Sequence, residues 1–100
     1  MIIEIPCQEK VISFYGAEKQ SMVHCLYECA ELIQAISKMR RARDAGKDDS
    51  EAYYNLVEEM ADVLVVLEQL QEMYDIPNTE IQSMVFKKCR RQEARIHDAH

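Results

Sequence analysis

Glycine and proline are nearly missing from this sequence, with two of each in 100 residues. So little punctuation leaves room for a few long elements and not for a fold built of many tight turns. Also missing is any apolar run near the roughly 20 residues that cross a bilayer. The longest is Val63-Leu64-Val65-Val66-Leu67, so no membrane partner is expected. The start, Met1-Ile2-Ile3-Glu4-Ile5-Pro6, lacks the basic residues and long apolar stretch of a signal peptide. A cytoplasmic location is the expectation. There is no basic surplus either. A net charge of −6 argues against a general nucleic-acid binder. It does not exclude a nucleotide, because a metal ion offsets local acid. Cysteine is not scarce, but Cys7, Cys25, Cys29 and Cys89 fall at no disulfide-framework or zinc-ribbon spacing. They read as ordinary semi-buried thiols of a reducing compartment.

What is present is apolar bulk, 48% of the residues. A single domain over residues 1–100 buries only a modest share of its surface. The excess therefore points to long helices that share a core with partner chains. Residues 1–6 read as an extended arm ending at Pro6, and residues 7–15 as a short helix stopped near Gly16. From Ala17 to about Arg43, Met22, Leu26, Cys29, Ile33 and Ile36 recur at spacings of three and four, which predicts an amphipathic helix. Residues 44–49 are polar, hold the second glycine and form a loop. Asp49 or Ser50 is placed to cap a second helix. Its stripe is Val57, Met60, Ala61, Leu64 and Leu67, running to about Tyr74. Pro77 breaks it. Asn78 or Thr79 caps a third helix, with Gln82 placed for a capping box, and residues 96–100 form a frayed tail. The fold class is all-α: a helical hairpin plus a C-terminal helix, assembling into an oligomeric four-helix-bundle core.

The acidic residues carry the chemistry. At about 100° per residue, Leu26 and Ile33 centre the first apolar stripe, and Glu28 and Glu31 bracket the opposite midline. On the second helix Val57 and Leu64 centre the stripe, and Glu59 and Asp62 bracket its opposite midline. Each pair is spaced i, i+3, so its members are surface neighbours. The short loop makes the helices antiparallel. Glu31 lies about 20 Å from the loop and Glu59 about 14 Å, an offset of about one turn. The four carboxylates can therefore meet at one level. The acid faces continue into Ala35 and Val66, which are not solvent residues. The run Met60–Leu67 is apolar on every side except at Asp62, which predicts burial. Buried carboxylates need a partner or a metal. Four of them without histidine favour a hard cation, Mg²⁺ or Mn²⁺. The lack of Glu-x-x-His disfavours a ferritin-like di-iron site. Without metal, their repulsion should raise at least one pKa.

Glu28-Cys29-Ala30-Glu31-Leu32, followed by Glu59-Met60-Ala61-Asp62-Val63, resembles the E-E-x-x-E … E-x-x-D signature of the MazG-like, all-α nucleoside triphosphate pyrophosphohydrolases, in particular small phage-type members. Residues 15–20, 30–38 and 58–70 extend the likeness, which covers about residues 10–95. It implies a dimeric or tetrameric homo-oligomer. It also implies Mg²⁺-dependent hydrolysis of a nucleoside or deoxynucleoside triphosphate to the monophosphate and pyrophosphate. Carried over by position, Glu28, Glu31, Glu59 and Asp62 are metal ligands. As a mechanistic expectation beside that, whichever of Glu28 and Glu31 is not fully engaged with metal is the catalytic residue that accepts the water's proton. The first glutamate of the family's leading pair is Tyr27 here, and a phenol is a poor magnesium ligand. The Tyr-His usual in phosphoribosyl-ATP pyrophosphatases is Val65-Val66 here, which sets that substrate aside.

Lys38 lies on the acid face about two turns past Glu31 and is the candidate for substrate binding. The other cations at the end of the first helix, Arg40, Arg41 and Arg43, complement the helix dipole. Lys87, Lys88, Arg90, Arg91 and Arg95 read as a solvated helix, the alternative being closure over the phosphates from a neighbouring chain, and Tyr53, Tyr54 and Phe86 as core aromatics, the alternative being stacking on a base. His24, one turn before Glu28, is a weaker site candidate. Three rivals stand beside the enzyme. One is a non-catalytic relative that binds nucleotide or metal, suggested by Tyr27. Another is a helical interaction protein with no site. The third is a helical enzyme of the chorismate mutase kind, against which the four acids argue.

Overall fold

The computed structural model describes residues 5–7, 9, 10, 13 and 25–99. Among these the chain is helical with no strand. The arm before Ile5, the stop at Gly16, and the start of the first long helix with Met22 and His24 lie outside the described residues. Glu9, Lys10 and Ser13 are helical. The long elements are α1 (Cys25–Asp44), α2 (Ser50–Met73) and α3 (Asn78–Ala99), so the third helix is regular through Ala99.

The hairpin loop is held from both sides. Gly46, at φ +65°, ends α1. Its N–H donates to Arg43 O at 3.1 Å, and Lys47 N–H donates to Ala42 O at 3.1 Å. This is a Schellman closure, which needs the left-handed backbone that glycine adopts without penalty. Asp48, not Asp49 or Ser50, supplies the side chain that starts α2. Its Oδ1 accepts from Ser50 N at 3.0 Å and Ser50 Oγ at 2.6 Å. These bonds hold the Asp48 carboxyl below its usual pKa. Asp49 makes no side-chain cap bond. Its Oδ2 instead takes Arg43 Nε at 3.0 Å across the turn.

α1 and α2 pack on one another, and the face they share is the acidic one. Its buried apolar residues are Ala35, at 0% exposure, and Val66, at 3%. The apolar stripes point away from the shared face. Leu26, Ile33, Val57 and Met60 are exposed, and the run Val63–Leu67 is half-buried apart from Val66. The run is therefore not enclosed within one chain. No residue of α3 is buried. Tyr53 and Tyr54 meet edge to face at 5.6 Å. Both are exposed, as is Phe86, so in the single chain none of the three is core.

The turn between α2 and α3 is closed by Gln71. Its backbone oxygen accepts from Ile76 N at 2.9 Å. Its amide Nε2 donates to Ile76 O at 3.1 Å and to Asn78 Oδ1 at 2.8 Å. Asp75 sits there at φ 51°. No helix among the described residues is long and apolar enough to cross a membrane.

Candidate functional site

The two acid pairs come together. One carboxylate oxygen from each of Glu28, Glu31, Glu59 and Asp62 lies within 4.8 Å of the other three. The i, i+3 spacing puts each pair on one face, and the antiparallel hairpin turns those faces toward each other. Glu28 and Glu59 are half-buried, while Glu31 and Asp62 open to solvent. The cluster thus lies in the seam of the hairpin, with buried Ala35 on its loop side and buried Val66 on the other.

Its electrostatics register the crowding. The Glu59 carboxyl is raised from 4.5 to about 7. Desolvation is the first cause, followed by a hydrogen bond with Glu31 and by the charges of Glu31, Asp62 and Glu28. That bond requires one of the two carboxyl groups to hold a proton. Glu59 Oε2 is also shut off from solvent with no hydrogen-bond partner. An acceptor oxygen left in that state among like charges suits a hard divalent cation, which binds oxygen donors. On this chemistry the four residues fit magnesium or manganese.

Tyr27 is exposed on α1, adjacent in sequence to Glu28 and outside the four-acid group. Lys38 is not within the group either. It lines a cavity of about 320 Å³ at the loop end of the hairpin with Asp48, Glu51, Ala52 and Asn55. Asn55 went unremarked in the sequence. Its signal is its place four residues before Glu59, which puts it on the acid face. Of the second basic stretch, Lys87 and Arg90 line a different hollow with Ile76, Glu80, Ile81, Ser83 and Met84, away from the acids. Cys7, Cys25, Cys29 and Cys89 are free thiols, and only Cys25 is half-buried; Cys7, Cys29 and Cys89 are exposed, against the expectation of semi-buried thiols. Burial, then the neighbouring Cys29, pushes the Cys25 thiol up.

No curated protein and no solved structure matches the chain. A family model does, that of the MazG nucleotide pyrophosphohydrolase domain, over residues 17–96. The matched stretch takes in both acidic helices and most of α3, and by it the chain belongs to the MazG nucleotide pyrophosphohydrolase family.

Proposed function

We propose that the protein hydrolyses a nucleoside or deoxynucleoside triphosphate to the monophosphate and pyrophosphate, with Mg²⁺ or Mn²⁺ held by Glu28, Glu31, Glu59 and Asp62. The observation that carries this reading is the meeting of four carboxylates within 4.8 Å on a chain of this family. A bound divalent ion supplies charge neutralisation for the phosphates and lowers the pKa of water. The chain's own residues do the rest. Glu59 gives up its proton when the site fills. Glu28 or Glu31, whichever keeps a lone pair outside the ligand set, accepts the proton of the attacking water. Lys38 contacts the substrate from the loop side.

Assembly belongs to the same proposal. The outward stripes of α1 and α2 pack against a second hairpin, giving a four-helix core in a dimer or tetramer, and the protein works in the cytoplasm. The rival reading, a non-catalytic nucleotide- or metal-binding relative, rests on Tyr27. One assay separates them: pyrophosphate release from a panel of NTPs and dNTPs with Mg²⁺, by wild type, Glu59→Gln and Tyr27→Glu. Wild type should exceed Glu59→Gln by about 10-fold or more, at least the loss seen when the support of a bound metal is weakened, and Tyr27→Glu should equal or exceed wild type. Equal background release from wild type and Glu59→Gln would favour the binding module. Activity destroyed by Tyr27→Glu would show that the phenol has a role of its own.

A further inference from the structure

Two thiols stand beside the acidic centre, and the proposed mechanism uses neither. Cys25 and Cys29 are four residues apart on α1, which makes them neighbours on one face of the helix. Their side chains share a hydrogen bond. Cys29 is exposed and Cys25 half-buried. At about 100° per residue, Cys29 lies about 50° and Cys25 about 90° round from the centre of the Leu26–Ile33 stripe, both on the side of Glu28. The pair therefore borders the apolar face and does not centre it. Glu28 falls between the two in sequence, and Cys25 and Glu28 are themselves neighbours at i, i+3. We infer that Cys25 and Cys29 are a redox-sensitive pair, which a hydroperoxide oxidises to a disulfide that displaces Glu28 from the four-acid group. The inference rests on the proposed metal site and adds a way of switching it off.

Helix geometry links the thiols to the metal site. A disulfide needs Cβ atoms about 3.5–4.5 Å apart, whereas positions i and i+4 of a regular helix hold them about 5–6 Å apart. The bond closes only if the turn that carries Glu28 deforms. Glu28 supplies one of the four oxygens gathered within 4.8 Å, so a deformed turn opens the group. The chemistry takes two steps. The exposed Cys29 sulfur attacks one oxygen of the hydroperoxide. An S–O bond forms and the O–O bond breaks. The other oxygen leaves as an alcohol, or as water from hydrogen peroxide, with the proton of the Cys29 thiol. The Cys25 sulfur then attacks the sulfenic sulfur of Cys29. The S–S bond forms, and the hydroxyl leaves as water with the Cys25 proton. The two thiols lose two electrons and the hydroperoxide gains them. Small thiols reverse the bond by exchange.

The test treats the full chain with hydrogen peroxide, removes the oxidant, and compares it with chain kept in a phosphine reductant. Peptide mass spectrometry locates the bond, and calorimetric titration measures Mg²⁺ affinity. The oxidised chain should carry a Cys25–Cys29 disulfide. It should bind Mg²⁺ about tenfold more weakly or worse, the scale of loss when the support of a metal ligand is removed. Dithiothreitol should restore both the thiols and the affinity. Cys25→Ser should form no such bond and keep its affinity under peroxide, while the double variant Cys7→Ser, Cys89→Ser should respond as wild type does. A bond that instead joins Cys7 or Cys89, or oxidation that stops at sulfenic or higher acids, would overturn the inference. So would a Cys25–Cys29 bond that leaves Mg²⁺ affinity unchanged, or an affinity loss that persists in Cys25→Ser. Reduced wild type that binds no Mg²⁺ would overturn the metal reading and the switch with it, an outcome distinct from a switch that fails on a working site.

Discussion

Glu59 is where the site's physics shows most directly. Its carboxyl, ordinarily near 4.5, is raised to about 7. Between those values the folded chain holds a proton that the unfolded chain has released. Stability of the metal-free protein should therefore fall as pH rises through that window. A cation at the four acids displaces the same proton, so its binding tightens as pH rises toward and past 7. If the acids hold Mg²⁺ as proposed, adding it should raise the melting temperature by mass action on the native state. The rise should be several degrees, since about 1 kcal/mol moves a domain of this size by roughly 4–8 °C. It should be larger at pH 8 than at pH 6, and Asp62→Asn should abolish it. Differential scanning calorimetry at both pH values checks this. A shift that ignores pH, or that survives in Asp62→Asn, would rule out the four acids as the magnesium site.

At the scale of elements, the two helix ends make a comparison. Gly46 closes α1 at φ +65°, and Asp75 takes the matching position after α2 at φ 51°. Aspartate meets a steric penalty there that glycine avoids. Asp75→Gly should therefore stabilise the chain by roughly 0.5–1 kcal/mol, after the added freedom of the unfolded chain is discounted. Urea denaturation would read it, and a loss of stability would mean that the Asp75 side chain contributes more than its backbone costs. Helix periods were legible in the sequence because the 3.6-residue repeat is local. The facing acids were legible too, since two wheels and a short loop suffice to bring Glu28 and Glu31 opposite Glu59 and Asp62. The capping role of Asp48 was not, because Asp48, Asp49 and Ser50 all suit a helix start and only the turn geometry chooses between them. The Gln71 bonds to Ile76 and Asn78 were hidden for another reason. They span two elements, and no periodicity encodes them.

For the molecule as a whole, the apolar stripes were easy to find and their direction was not. A single wheel says only that Leu26 and Ile33 lie opposite Glu28 and Glu31. It does not say which face meets the neighbouring helix. In the structure the acids do, and Leu26 and Ile33 stand 73% and 65% exposed. These exposed side chains are the surface that the proposed assembly would cover. Light scattering at micromolar concentration should give a dimer or larger, and a monomer would refute the proposed assembly.

All four acids belong to one chain, each within 4.8 Å of the rest. No subunit has to borrow a carboxylate from another to complete its set. Inactive and active chains sharing an assembly should then neither rescue nor poison one another at the acidic centre. When wild type and Asp62→Asn are unfolded together and refolded as mixed assemblies, the rate should follow the wild-type fraction in a straight line. A curve that sags below the line would mean that neighbours share the chemistry after all.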